Sequence, residues 1–262
     1  MSEPNILVGT DARGVATVAL NRPAIHNAFD DRIIADLTAA LRRLADDAAV
    51  RVVVLTGSGE SFSAGGDLNW MRRMAGYSDA ENLADAMALA ELLRTLNELA
   101  KPTVARVNGA AFAGGLGLVC CCDIAIAATE ASFSISEARL GLVPATISPY
   151  VVAAVGAHAA RRYFLTAERF TAAEAQRIGL VHEIAPRAGL DEAVAKIVAA
   201  LLDAGAEAQA RSKRLIAEVQ DRPMTEALMA LTARAIAEAR ASAEAREGLA
   251  AFFAKRKPAW RR

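Results

Sequence analysis

Hydrophobic positions along this chain follow two regimes, and the change between them divides it. Val15–Leu20 alternates loosely and reads as a strand, ended by Asn21-Arg22-Pro23, because proline brings no donor to strand pairing. Asp30 and Asp31 suit the N-cap of a helix running to about Ala45, with Ile33, Ile34, Leu37, Leu41 and Leu44 on one face. Val52–Thr56 is a short apolar run entering Gly57-Ser58-Gly59, which predicts a buried strand and a turn. A long helix opens at Asp79 or Glu81 and ends near Ala100, where Lys101-Pro102 stops it; Leu89, Leu92, Leu93, Leu96 and Leu99 keep the three-four spacing. Thr103–Val107 reads as a buried strand, Gly115–Cys122 as a helix of small residues, and Ile124–Ala128 as a further strand. Alternating strands and helices predict an α/β core with parallel pairing.

After about Phe170 the character changes. Alanine, Glu, Arg and Leu dominate, and strand signals nearly vanish. Thr171-Ala172-Ala173-Glu174 has the form of a capping box, and the chain to about Arg256 reads as several helices. No flexible linker and no repeat of fixed period is evident. The helical part is expected to pack on the core or on a neighbouring subunit.

Composition narrows the picture. A chain of 262 residues suits one large domain, or one with a helical appendage, and 54% hydrophobic residues furnish a sizeable core. Thirty basic and thirty acidic residues leave no formal net charge, hence no electrostatic footprint for nucleic acid or an anionic membrane. The same balance favours self-association. The uncharged run between Arg106 and Asp123 is too short to span a bilayer. Cys120, Cys121 and Cys122 are adjacent and fit neither a disulfide framework nor zinc spacing; they read as small buried hydrophobes in a reducing cytoplasm. The segment Met1-Ser2-Glu3-Pro4-Asn5 lacks the basic and apolar regions of a secretory signal.

Two glycine-rich segments carry the candidate chemistry. Ser61-Phe62-Ser63-Ala64-Gly65-Gly66-Asp67-Leu68 follows one predicted strand; Gly109 through Gly117 follows another and opens a helix. Small residues let the backbone approach a ligand, and a helix start offers unpaired N–H groups. Two such loops at adjacent strand ends would aim N–H groups at one oxygen, the design of an oxyanion hole; tight strand-to-helix turns account for the glycines equally well. A dinucleotide fingerprint fits worse, because Phe62 stands at its sixth position after Gly57. There is no Gly-Lys-Ser/Thr loop and no Gly-x-Ser-x-Gly elbow, and His26, His158 and His182 lack metal-ligand spacing.

Phe62-Ser63-Ala64-Gly65-Gly66-Asp67-Leu68 resembles the first oxyanion-hole motif of the crotonase (enoyl-CoA hydratase/isomerase) family, and Asn108-Gly109 through Gly114-Gly115 to Cys122-Asp123-Ile124 resembles the second. Asn21-Arg22-Pro23 with Asn27-Ala28 is similar to the family's early CoA-contacting loop, and Ser136–Pro144 to its catalytic-glutamate segment. Ala172, Ala175 and Ile178–Val181, then Phe252 with Lys255-Arg256, are similar to its C-terminal region, so the resemblance covers nearly the whole chain. It implies an α/β fold: a ββα spiral core, placed at residues 1–195, and a helical C-terminal trimerisation region at 196–262. It implies that the N–H groups of Ala64 and Gly114 hold a thioester oxygen and that Glu137 moves the proton. It also implies that Ala28, Ala64, Gly65, Gly66, Asp67, Leu68, Gly114, Phe252 and Lys255 meet substrate or its CoA arm, the last two across a subunit boundary. The expected partner is an acyl-CoA thioester, with no resident cofactor or metal, no nucleic acid and no membrane, in a cytoplasmic homotrimer or hexamer.

One position departs from the pattern. Hydratases of this family typically carry two glutamates, one three residues after the second oxyanion donor. That position is Gly117 here, leaving Glu137 alone. In an apolar pocket its pKa is expected to rise, letting it give and take a proton near neutrality. Ala145-Thr146-Ile147-Ser148-Pro149-Tyr150, Gly117 and Arg161–Thr166 resemble bacterial methylglutaconyl-CoA hydratases, so the leading expectation is hydration of a branched enoyl-CoA. The alternatives are a Δ3,Δ2-enoyl-CoA isomerase using Glu137 as its single shuttle, a decarboxylase or thioesterase on the same fold, and a non-catalytic acyl-CoA- or RNA-binding protein. Arg72, Arg73 and Arg139 are candidates to meet a distal carboxylate.

Overall fold

The computed structural model describes residues 3–261; Met1 and Ser2, on which part of the leader reading falls, and Arg262 lie outside them. In chain order, β1 (Ile6–Thr10) and β2 (Val15–Leu20) form an antiparallel pair, followed by α1 (Asp31–Asp46) and β3 (Val52–Gly57). Helices α2 (Leu68–Met74) and α3 (Asp79–Asn97) lead to β4 (Thr103–Val107), β5 (Ala111–Phe112), α4 (Gly114–Cys121), β6 (Ile124–Ala128) and β7 (Ser132–Ser134). Then come α5 (Ser148–Thr166), β8 (Phe170–Thr171), α6 (Ala172–Arg177), β9 (Glu183–Ala185), α7 (Leu190–Asp203), α8 (Ala206–Val219), α9 (Glu226–Ala241) and α10 (Ala243–Phe253). Together they form a six-stranded sheet in the order β1-β2-β3-β4-β6-β9, a small sheet β5-β7-β8, and helices at the C-terminal end.

From β2 to β9 the larger sheet is parallel, and β3 is buried along its whole length, as expected of strands covered on both faces. Its apolar residues meet the faces of α1 and α3 through Ile33, Leu37, Leu41, Leu92, Leu93 and Leu96, all fully buried. Asp30 caps α1, accepting a hydrogen bond from the Ile33 N–H at 2.9 Å. The cap of α3 is Ser78, in a reciprocal box with Glu81, so the helix begins where its capping chemistry is complete. It ends at Asn97, three residues before the expected stop.

The second half corrects the sequence reading in three respects. Short strands persist after residue 170: β8 adds to β7 and β9 to β6, and at two and three residues their pairing comes from the neighbouring strand rather than from a hydrophobic pattern of their own. At Thr171 only half a capping box forms. The hydroxyl accepts from the Glu174 N–H at 3.2 Å, while the Glu174 carboxylate takes bonds from the Tyr163 hydroxyl and Arg177, each at 2.6 Å. Finally, the boundary expected between residues 195 and 196 falls inside α7, which packs on β3, β4, β6 and β9 and so belongs with the sheet. Asp123 joins elements: Oδ2 accepts from the Thr103 N–H and hydroxyl at 2.8 Å each and pairs with Lys213 of α8 at 2.9 Å. The three cysteines are packed where α4 meets β6; burial pushes the Cys120 thiol up to about 12 and its neighbours up as well.

Candidate active site

Three short extended segments lie side by side and run in the same direction. Ser63 is bridged in parallel to Ala111, with Ser63 N–H donating to Ala110 O and Phe112 N–H to Ser63 O, both at 2.9 Å. Ala111 pairs in parallel with Phe133, and Phe112 with Ser134. Counting forward, Gly66 lies three residues beyond Ser63, Gly114 three beyond Ala111, and Glu137 four beyond Phe133. Parallel register therefore delivers all three to one end of this layer. The first two loops touch: a Cβ on Gly65 would meet the Ala113 Cβ at 3.1 Å and the Phe112 carbonyl oxygen at 3.2 Å.

Two buried asparagines hold the approach to the first loop. Asn27 Nδ2 donates to the carbonyls of Ser58 and Ser61, at 2.9 and 2.8 Å. Asn108 Nδ2 donates to Gly59 O at 2.9 Å, and its Oδ1 accepts from the Gly57 N–H at 3.2 Å. These side chains satisfy backbone groups that a buried turn leaves without partners.

The backbone donors decide what this end can bind. Ala64, expected as the first oxyanion donor, is corrected: its N–H is committed to the His26 carbonyl at 2.9 Å. The N–H of Gly65 goes to Ser63 Oγ at 3.3 Å and that of Asp67 to the Phe29 carbonyl at 2.6 Å. Among the described residues, no acceptor meets the N–H of Gly66 or that of Gly114. Gly114 opens α4, so its N–H is one of the first-turn donors without an intrahelical partner, at the positive end of the helix dipole. Ala113 before it sits at φ 48°, ψ −121°, a conformation costing an L-residue on the order of 1–3 kcal/mol. Its own N–H is anchored on Ser134 O at 2.9 Å, which holds the turn.

Glu137, at the same end of the layer, opens a short 3-10 turn to Leu140. Its Oε2 is buried and has no hydrogen-bond partner. Burial raises its pKa above the ordinary glutamate range, against a smaller opposing pull from its own backbone N–H. The expected second glutamate position is sealed. A Cβ on Gly117 would lie 2.3 Å from Ile147 Cγ2 and 3.6 Å from Leu93 Cδ2.

The remaining expected contacts divide. Gly65 adopts φ +90° and its carbonyl accepts from the Phe29 N–H at 2.7 Å, so it shapes the loop. Asp67 is the N-cap of α2: Oδ1 accepts from the N–H groups of Asn69 and Trp70, at 2.7 and 3.2 Å, and Oδ2 pairs with Arg22 at 3.0 Å. Burial pulls its pKa up, but those donors and Arg22 together hold it below the usual value. Its carboxylate is thus engaged in capping α2 and in pairing with Arg22. Ala28 is buried beneath Arg22, which donates to its carbonyl at 3.3 Å, whereas Leu68 is 70% exposed at the start of α2. Phe252 is 76% exposed on α10, and Lys255 follows that helix. Since α10 packs on α8 and α9, one protomer does not bring these two residues to Glu137. Gly66 as a donor and Ile147 as a wall escaped the sequence reading; register along Ser63–Gly66 was the signal for the first, and residue type gave none for the second.

Gly65 and Gly66 should respond differently to the same substitution. Gly65→Ala adds a Cβ at positive φ and against the second loop, costing about 1–2 kcal/mol from backbone strain alone, and should lower both Tm and turnover. A Cβ on Gly66 makes ordinary contacts with Met71 at 3.4 Å or more and with Trp70 Cε3 at 3.8 Å, so Gly66→Ala should keep turnover within roughly threefold of the parent. Thermal melts and steady-state rates of the two variants, side by side, check this.

Comparison with known proteins places the chain and its fold in one family. The family model described as enoyl-CoA hydratase/isomerase matches residues 10–262. The crystal structure of an enoyl-CoA hydratase from Shewanella pealeana superposes with a TM-score of 0.95 at 43% identity, covering 98% of this chain and 96% of that one. AtuE from Pseudomonas aeruginosa gives 0.94 at 36% identity, over 99% of this chain and all of its own. A crotonyl-CoA hydratase from Syntrophomonas wolfei is 32% identical over 259 residues, 98% of each chain.

Proposed function

The chain belongs to the enoyl-CoA hydratase/isomerase family, and on that footing we propose that it hydrates a branched enoyl-CoA with Glu137 as its single proton shuttle. Its activity class is that of a hydro-lyase acting on enoyl-CoA thioesters. The observation that carries the mechanism is the buried, unpartnered Oε2 of Glu137 at the same end of three parallel segments as two free backbone N–H groups.

In this reading the thioester oxygen accepts hydrogen bonds from Gly66 and Gly114. Glu137 takes a proton from water, and the water oxygen bonds to C3 of the acyl group. The π electrons of the C2–C3 bond move toward the thioester, giving an enolate whose charge rests on the oxygen. Protonated Glu137 then returns its proton to C2, so the elements of one water are added and the carboxylate is restored. Each donor aimed at such an oxygen contributes about 2.7–4 kcal/mol. A buried carboxyl with a raised pKa suits both halves of the shuttle. No metal or resident cofactor is required; coenzyme A arrives as part of the substrate.

The methylglutaconyl-like acyl chain is supported by the segment Ala145–Tyr150 and by Gly117. The isomerase reading draws on the same lone glutamate, which would carry a proton between C2 and C4 without water. Self-association as a trimer or hexamer is supported by apolar residues left exposed on α9 and α10, Met229, Ile236, Leu249, Phe252 and Phe253 among them. It would bring Phe252 and Lys255 to a neighbour's CoA arm. Among the described residues no helix is long and apolar enough to cross a membrane, which supports a cytoplasmic setting.

Turnover of crotonyl-CoA and 3-methylglutaconyl-CoA in H₂¹⁸O tests the reading. Label on C3 is expected, with the branched substrate preferred. Double-bond migration without label would transfer the assignment to isomerase. Because the base must be ionised, kcat/KM should rise with pH through a single ionisation above the ordinary carboxylate range and then level off. A falling limb at higher pH would require a second acid.

A further inference from the structure

Resting on the hydratase reading, we infer that Ile147 and Gly117 are an interlocked pair that makes this a one-carboxyl site, with Ile147 the residue that determines it. Gly117 lies one helical turn beyond the Gly114 donor, on α4. Any side chain there would leave the helix toward Ile147: the first carbon alone would stand 2.3 Å from Cγ2 and 3.0 Å from Cβ of Ile147. Ile147 cannot retreat readily. It is 1% exposed, its carbonyl accepts from the Val151 N–H at 3.0 Å, and Pro149 stiffens the first turn of α5 just after it. Leu93 of α3 closes the same space from the other side, at 3.6 Å from the position of that carbon.

The absence of a carboxyl at 117 is therefore not a simple deletion. Hydrocarbon fills the volume a longer side chain would enter, and an ionised group placed there would be both crowded and desolvated. Water beside C3 meets one ionisable group, Glu137, and a wall of Ile147. The one-carboxyl chemistry is thus fixed by a residue ten positions downstream of Glu137, in a segment whose other polar atoms are turned into local bonds, such as Ser148 Oγ to Ala145 O at 2.8 Å. Adding a glutamate at 117 without changing 147 should injure the protein; adding it together with a glycine at 147 should create a second acid/base.

The test has two arms. In thermal melts, Gly117→Ala and Ile147→Ala should each lower Tm, and the double variant should melt higher than Gly117→Ala alone, because the truncated residue 147 makes room for the new Cβ. Strictly additive losses would overturn the interlock, and this arm reads out whether or not any substrate turns over. In the second arm, the pH profile of kcat/KM for crotonyl-CoA is measured for the Gly117→Glu/Ile147→Gly double variant and for Ile147→Gly alone. A second, falling limb in the double variant only is the expected result. A folded double variant that keeps the single limb, or a Gly117→Glu variant that gains the second limb at unchanged Tm, would overturn the assignment of Ile147. Lack of turnover in every protein, parent included, with the melting coupling intact, would instead reject the hydratase reading and leave the interlock standing.

Discussion

Glu137→Gln is expected to lower hydration by two to four orders of magnitude while making the protein more stable at neutral pH. The loss follows because the amide can neither take a proton from water nor return one to C2, and no second carboxyl is available to substitute. The gain in stability follows from burial. Desolvation raises the folded-state pKa of Glu137, and its Oε2 has no partner to offset the charge. Between the unfolded pKa, about 4.3, and the raised folded value, the native state holds more protons than the unfolded chain, so stability falls as pH rises through that window. Below the window the carboxyl is neutral in both states and the penalty disappears. Melts of parent and variant should therefore coincide near pH 4 and separate toward pH 8, the glutamine form melting higher. Equal melting at both pH values would mean that Glu137 is not held in the buried, unpaired state described above. Activity alone cannot make that distinction, since many substitutions near a site reduce turnover.

The second large effect distinguishes the two candidate donors by a change of one atom. Replacing the backbone N–H of Gly66 by an ester oxygen, through incorporation of glycolic acid at that position, should reduce kcat by about a hundred- to a thousandfold. No side chain is added and that N–H has no acceptor to lose, so the cost in stability is confined to the weaker bond that the Gly65 ester carbonyl accepts from the Phe29 N–H, at most about 0.5–1.5 kcal/mol. The same replacement at Ala64, using lactic acid, should have a different signature. The Ala64 N–H bonds to the His26 carbonyl, so the ester should cost about 0.5–1.5 kcal/mol of stability and leave kcat within an order of magnitude. A thousandfold loss at Ala64 with none at Gly66 would reinstate Ala64 as the donor.

That contrast also shows what could be read from the chain alone. The central strands and the α1 cap were legible because burial on both faces writes long apolar runs and a capped helix writes an acid before its apolar face. Glycine-rich loops after two of those strands located the candidate site, and Glu137 was found by its motif. Gly66 was placed in the site but not as a donor, because which N–H is free depends on the partners of its neighbours. His26, Ser63 Oγ and Phe29 take up the others, from 37 residues upstream in the case of Phe29. Asp67 illustrates the converse: an acid after a glycine pair and before a helix suits capping as well as ligand contact, and α2 and Arg22 take both its oxygens. β8 and β9 were missed because strands that short carry no period, and the role of Ile147 because a buried isoleucine resembles any other core residue until Gly117 is placed beneath it.

Two of the three groups assigned to the chemistry are main-chain atoms, and this governs how the gene would respond to saturation mutagenesis. A library read by growth or turnover would register Glu137 sharply. Gly66, where a methyl group finds room against Met71, would accept small replacements and score as unremarkable, although the proposed mechanism rests on its amide. Gly65 and Gly117 would score as essential because their neighbours leave no space for a side chain. A sensitivity map of this protein would therefore trace the mould that shapes the oxyanion pocket rather than the pocket itself, and Ile147 would appear on it only through its pairing with residue 117.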